Sequence, residues 1–400
     1  MALIKIKNTL KISDFDKLYK DLYFLIDEKS VIDVELPKQI NKNFFSVTSG
    51  LIQFVATWIR FGHAGKLIID LENEKDQIEK IYQEEFFFPV IAMVWNDVDI
   101  INLSGKSFRS ILRKHQNEFT VRMRKIEPLK GEKLLLVNFD HFDNNSGILP
   151  FFEIKNSFVT NEESLHDSLR LPILNEVLKY SRRSREDFSK IFTDISGIIY
   201  ELMKNTFEWA RDDEFQVPFS PSIRGVYVRF FKRSRTTLLE EYQKSKPIRE
   251  YFSNEINIEN NDLGQVYFIE ISVFDSGSGF VRKFKNVENE NTSDIDIIKK
   301  CLIKNQTSST SLFKEEKGIG LDRILKILNN KGFLKITTDK YSLYRNLIES
   351  VYKPISIDNF QDVELRDWWT QSDTKFTKSR LTSGSNINIL YPLSQSPKTI

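Results

Sequence analysis

The feature that most limits how this chain can fold is an apolar run that stops on a glycine turn. Between Val266 and Phe274, Tyr267, Ile269, Ile271 and Val273 fall on one face at the period of a strand, and Asp275 keeps their parity. The run continues directly into Asp275-Ser-Gly277-Ser-Gly279. A carboxylate is thereby aimed at whatever layer covers the sheet, just where the strand ends, and the glycines let the backbone turn and approach closely. Alone, such a pentapeptide is more often a simple turn.

The rest of the chain surrounds that strand with two kinds of pattern. Over the first 150 or so residues, Val31–Leu36 reads as a strand, and Leu51, Phe54, Val55, Trp58 and Ile59 repeat at helical spacing. Gly62 and Gly65 end that helix, and Leu67-Ile68-Ile69 reads as a buried strand. Pro89–Val94 and Leu134–Val137 are further strand expectations, and Asp143–Gly147 is a candidate boundary. From about 165 onward, helical patterns cover Leu174–Lys190 and Ile195–Trp209, followed by strands at Gly225–Phe231 and Val266–Phe274. A polar stretch of low pattern spans about 282–317; after it come a helix at Leu321–Leu328 and strands at Phe333–Thr337 and Ile387–Leu390. Helices alternating with mostly antiparallel strands predict an α+β sandwich in residues 165–400, behind a smaller α/β domain in residues 1–150.

Composition excludes several classes. At roughly 150 residues per domain, 400 residues suggest two to three domains. Hydrophobic residues at 40% and charged residues at 28% exclude bulk disorder. Lys+Arg 58 against Asp+Glu 56 leaves a net charge of +2, too little to predict a nucleic-acid or membrane partner. The single cysteine, Cys301, excludes an internal disulfide framework and a cysteine-based zinc cluster, and His63, His115, His141 and His166 show no metal-ligand spacing. The longest uncharged stretch, Phe44–Ile59, carries Ser46, Thr48, Ser49, Gln53 and Thr57 and falls short of the ~20 apolar residues of a spanning helix. The amino terminus lacks a signal-peptide core, so a cytoplasmic protein is expected.

Three constellations carry chemistry. Glu201 and Asn205 stand four residues apart on the helix whose buried stripe is Ile195, Ile198, Ile199, Leu202 and Met203, so they share a face beside it. A carboxylate one turn from an amide suits activation of a nucleophile, with the amide oxygen available to Mg²⁺. Asp275 is placed to accept the exocyclic amino proton of a buried adenine. Lys317-Gly318-Ile-Gly320-Leu321 opens the helix faced by Leu321, Ile324, Leu325 and Leu328, where free N–H groups and the positive dipole end suit phosphate. Each has a plain structural reading as solvated polar residues, a turn and a flexible loop.

Taken in order, and closed by Gly384-Ser385-Asn-Ile-Asn-Ile-Leu-Tyr-Pro392, the three motifs resemble the GHKL (Bergerat-fold) ATPases, which include gyrase, the ninety-kilodalton heat-shock chaperone, histidine kinases and MutL. The resemblance covers roughly 170–395. It implies that Asn205 coordinates Mg²⁺, that Glu201 is the general base, and that Asp275 binds the adenine amino group in a pocket shaped by Gly277 and Gly279. It also implies that Gly318 and Gly320 hold phosphates at the start of the helix that Leu321 continues, that Lys317 or Lys314 adds charge, that Ser385 lies near the adenine, and that 282–317 is the ATP lid. The sensor-kinase branch needs a phosphoaccepting histidine in a context that none of the four supplies, and Glu201 favours activation of water or a hydroxyl. The gyrase and MutL branch takes a lysine from a following domain; with eight residues after Pro392, that lysine is expected from the lid, the N-terminal unit or a partner.

Residues 31–95 resemble a STAS domain, with Ser49 in a Thr48-Ser49-Gly50-Leu51 turn where STAS partners of anti-sigma kinases accept phosphate; Val47 stands where the Asp of that turn belongs. The alternative is that Ser49 caps a helix starting near Gly50. Basic residues between Lys106 and Lys133 read as a solvated face. The leading expectation is slow ATP hydrolysis that switches the interaction with a protein partner, with a homodimer compatible. Its rivals are a Ser/Thr protein kinase acting on a STAS-type partner or in cis, and a non-hydrolysing nucleotide-gated module.

Overall fold

Two sheets, one parallel and one antiparallel, lie on either side of a single buried helix. The computed structural model describes residues 2–41, 44–71, 75–159, 161–178, 185–256, 258, 260–261, 263–285, 292–303 and 320–393. The chain begins β1 (Ala2–Lys5), α1 (Asp14–Asp27), β2 (Val31–Leu36), α2 (Val47–Phe61), β3 (His63–Ile69), α3 (Lys75–Ile81), α4 (Phe87–Val94) and β4 (Asp99–Asn102). Its four strands pair in parallel and in sequence order, a topology that requires a crossover between each pair.

Next, α5 (Arg109–Arg124) leads to β5 (Lys133–Asn138), the short α6 (Asn144–Gly147) and a small hairpin of β6 (Glu153–Ile154) and β7 (Ser157–Phe158). Helix α7 (Glu162–Leu171) runs into a π-helical turn, Pro172–Val177, before the long α8 (Arg185–Trp209). Then come β8 (Arg224–Ser234), α9 (Arg235–Glu241), α10 (Lys246–Ser253) and β9 (Gln265–Asp275). The chain continues through α11 (Phe280–Lys285), α12 (Asp294–Cys301) and α13 (Gly320–Leu328) to β10 (Phe333–Thr338), β11 (Tyr341–Asn346), β12 (Arg366–Asp367) and β13 (Ser385–Pro392). The second sheet has seven strands in the order β12-β11-β10-β13-β9-β8-β5, antiparallel throughout. An α+β architecture, expected from the alternation of patterns, is what forms.

Several expectations need correction. The division near residue 150 does not follow a sheet boundary, because β5 pairs with β8 along its whole length. A short, fully buried apolar strand carries no mark of which sheet it joins. Pro89–Val94 lies in helix α4, with Pro89 in the first turn, where its missing N–H costs no hydrogen bond. Thr48–Leu51 is no turn: α2 starts at Val47, so Ser49 lies inside the helix and does not cap it. The stretch expected to be low in pattern includes α11 and α12, the latter capped by Ser293, whose side chain accepts from Asp296 N.

Helix α2 is buried on nearly every side from Val47 to Trp58. Leu51, Phe54, Val55 and Trp58 belong to the apolar core, and Trp58 Nε1 donates to Ile32 O of β2 at 3.0 Å. Its other face is polar and meets polar strand positions. Ser49 Oγ donates to Asn388 Oδ1 (2.7 Å), Gln53 Nε2 to Ser383 O (3.4 Å), and Ser383 N to Thr57 Oγ1 (3.0 Å). The network extends beneath the helix: Ser272 Oγ donates to Asn388 Oδ1, Arg229 pairs with Glu270, and Glu270 Oε1 accepts from Ser46 N at 2.9 Å. Lys133 of β5 pairs with fully buried Glu85 at 2.7 Å. Buried polar groups of this kind persist only when partnered, which ties the register of α2 to the sheet.

Candidate nucleotide site

The opposite face of the seven-stranded sheet is covered by α8 and α13, and a cleft opens between them and the ends of β9 and β13. It holds about 820 Å³ of empty space, its mouth included, and is walled by Leu202, Trp209, Ala210, Phe280, Phe284, Leu321 and Ile387. The apolar lining, with a few polar groups converging on it, is that of a small-molecule site.

Asp275 closes the inner end. It is 9% exposed, and its Oδ1 accepts from Gly277 N (2.8 Å) and Ser385 N (3.2 Å). The second oxygen makes no hydrogen bond among the described residues, and the side chain lines the cleft. Burial pushes its pKa up to about 6, against the pull of the two amides and of Arg60 and Arg224. A Cβ on Gly277 would come within 2.6 Å of Ala210 Cα, so only glycine lets the turn pack on the end of α8. Gly279 has φ +83, and a Cβ there would meet Asp339 Oδ2 at 2.7 Å. Ser385 contributes its hydroxyl through a 3.1 Å contact with Thr338 Oγ1.

Asn205 lines the other end, and Glu201, which does not line the cleft, stands one turn before it on α8 against the first described residue of α13. A Cβ on Gly320 would lie 3.0 Å from Glu201 Oε2 and 3.2 Å from Asn205 Nδ2, so the first residue of α13 nests against both. Gly320 is the first described residue of that helix. Lys317 and Gly318, expected to hold phosphate, lie outside the described residues, as do Lys314 and most of the segment expected to form the lid. Asn205, Asp275, Gly279, Gly320, Leu321 and Ser385 all line the cleft.

Four contributors are absent from the sequence reading. Arg323 donates to Glu201 Oε1 at 2.9 Å and to both oxygens of Glu162 at 2.7 Å, and these carboxylates hold its pKa well above the usual range for arginine. Arg60, at the end of α2, donates to the carbonyls of Ser276 and Gly277, the latter at 3.1 Å. Its guanidinium lies 3.8 Å from the centroid of the Phe219 ring, and burial lowers its pKa to about 10. Lys283 lines the cleft and donates to Asp212 O (2.9 Å) and Asp213 O (2.8 Å). Trp209 offers a flat indole wall beside Phe284, with centroids 6.3 Å apart. A lone Arg or Trp on a helix gives no sign in sequence of the remote loop it will reach.

Among the described residues no group of three or more His, Cys, Asp or Glu side chains is arranged to hold a metal, so any Mg²⁺ here depends on Asn205 and on oxygens that a ligand brings. Ser49 is fully buried with its hydroxyl committed to Asn388. No described helix is long and apolar enough to cross a membrane. Compared with protein-family models, curated proteins and solved structures, the chain matches none.

Proposed function

We propose that the chain is a GHKL-type protein that binds ATP with Mg²⁺ in this cleft and hydrolyses it slowly, its nucleotide state altering a surface read by a protein partner. The reading rests on one observation: Asp275 lines an apolar cleft with one oxygen pinned by two backbone amides, and at the cleft's far corner Asn205 and Gly320 line the wall with Glu201 against Gly320.

On this reading the free Asp275 oxygen accepts the amino proton of adenine, and Trp209, Phe284, Val273 and Ile387 supply the apolar walls of the ring slot. The α13 amides face the phosphates. Bound Mg²⁺ would neutralise phosphate charge, with Asn205 as its protein ligand. Glu201 Oε2, turned toward Gly320 and without a hydrogen bond among the described residues, takes a proton from the attacking water. Arg323 occupies Oε1 and so fixes the rotamer of the base. Transfer in cis to Ser49 is disfavoured, because a buried helical hydroxyl cannot reach the cleft.

The test is calorimetric titration with Mg·ATP and phosphate release from the same sample. Binding with release that Glu201→Ala removes supports the proposal. Labelled γ-phosphate recovered on protein would favour the kinase alternative, binding without release the non-hydrolysing module, and absence of binding would overturn the nucleotide reading.

A further inference from the structure

A second cavity lies on the α2-facing side of the same sheet, back to back with the first: along β13, Ser385 lines one and Asn386 the other. It holds about 590 Å³ of empty space, its mouth included, between α1, α2 and strands β10 and β11.

Lys335 is its distinctive group. The residue is 7% exposed on an interior strand, and among the described residues Nζ makes one hydrogen bond, to Thr337 Oγ1 at 3.1 Å. The ammonium lies 5.1 Å from the centroid of the Trp368 ring, and among the described residues no carboxylate is within ion-pair distance of it. Burial alone lowers its pKa to about 8. Both carboxylates in the cavity wall have other cations: Asp16 pairs with Lys20 at 2.6 Å, and Asp339 accepts from Val281 N and Thr338 Oγ1, with Arg282 at 3.5 Å. Trp369, also in the wall, has its indole N–H buried without a hydrogen-bond partner among the described residues. Arg380 stands exposed at the mouth.

A buried ammonium lacking a counter-ion is costly unless a ligand supplies one. We propose that this cavity is a second ligand site, taking a small aromatic carboxylic acid whose ring packs against Trp368 and Trp369 and whose carboxylate pairs with Lys335. Of the cations lining the cavity, Lys340 and Arg380 are exposed and Lys335 is buried, so the one buried ammonium matches the single negative charge of a carboxylate. The site does not depend on the nucleotide reading.

The test uses 2-naphthoate as probe and 2-naphthalenemethanol as its neutral isostere, in calorimetry on the full chain. The acid is expected to bind about tenfold or more tighter than the alcohol, and Lys335→Met is expected to erase that preference. Lys283→Met, which alters the other cleft, is expected to leave it intact. Should Lys335→Met fail to fold, protection of Lys335 from reductive methylation by 2-naphthoate, mapped by peptide mass spectrometry on the wild type, decides the matter. No binding up to about 5 mM, equal binding of acid and alcohol, or loss of binding in Lys283→Met in place of Lys335→Met would each overturn the assignment.

Discussion

Arg323 stands between two acids, with Nη1 2.9 Å from Oε1 of Glu201 and the guanidinium paired with Glu162. Glu201 thus has one oxygen held and one turned toward Gly320. If Arg323 positions the base, Arg323→Ala should lower kcat about tenfold while ATP affinity stays within about twofold. The stability loss should be small, about 1 kcal/mol, because the pair is a third exposed. Single-turnover kinetics beside a thermal melt checks this; an equal loss of binding would show that Arg323 acts on the fold.

The ionisation of Asp275 sets a pH dependence. Its pKa is raised to about 6, so the carboxylate gains a proton as pH falls through that value and loses its negative charge as an acceptor. If the cleft binds ATP as proposed, affinity should be highest above pH 7 and weaken progressively below 6. Asp275→Asn, which presents a neutral group at all pH values, should bind at least about tenfold more weakly and lose the pH dependence. Titrations between pH 5 and 8 on both proteins decide it.

Arg60 carries the N-terminal unit to the Asp275 turn through the carbonyls of Ser276 and Gly277. Arg60→Ala leaves those carbonyls without their charged donor and removes a cation near Asp275. We expect a loss of about 1–3 kcal/mol in stability and a further rise in the Asp275 pKa, read as an upward shift of the pH midpoint for ATP binding.

Lys335 gives a prediction of opposite sign for stability. Its folded-state pKa, about 8, lies below the unfolded value of 10.5, so the penalty for burying the ammonium is fully present below pH 8 and fades as pH rises toward 10.5. Lys335→Met should accordingly stabilise the chain at pH 7, by up to about 3 kcal/mol. The gain should shrink above pH 8, and denaturant melts at pH 7 and 10 provide the comparison.

Ser49 is expected to resist modification. Its hydroxyl is buried and donates to Asn388, so a carboxylate there would meet an acceptor in a site closed to water. Ser49→Asp should cost about 3 kcal/mol or more, and mass spectrometry after incubation with ATP should find no phosphate at this position.

How far the sequence could be read depended on whether a residue's partners were local. The alternation that ends on Asp275 placed β9 and its carboxylate correctly, because period and parity are properties of one segment. Glu201 and Asn205 came out on one face of a helix for the same reason. Pro89 misled because an apolar run of six residues has no period that separates strand from buried helix, and a proline suits the first turn of either reading. Ser49, Gln53 and Thr57, spaced i, i+4, i+8, face Asn388, Ser383 and their neighbours, partners that no local pattern names. Arg60 and Arg323 find their partners 122 or more residues away, beyond any pattern in the chain itself.

Helix α2 answers to two templates at once. Its 15 residues must satisfy shape on the side of the parallel sheet and hydrogen-bond chemistry on the side of the antiparallel one. A substitution accepted by one neighbour is still judged by the other, so the two halves of the molecule are free to diverge only in concert. Grafting either half onto a foreign scaffold would mean carrying this helix along, or rewriting it.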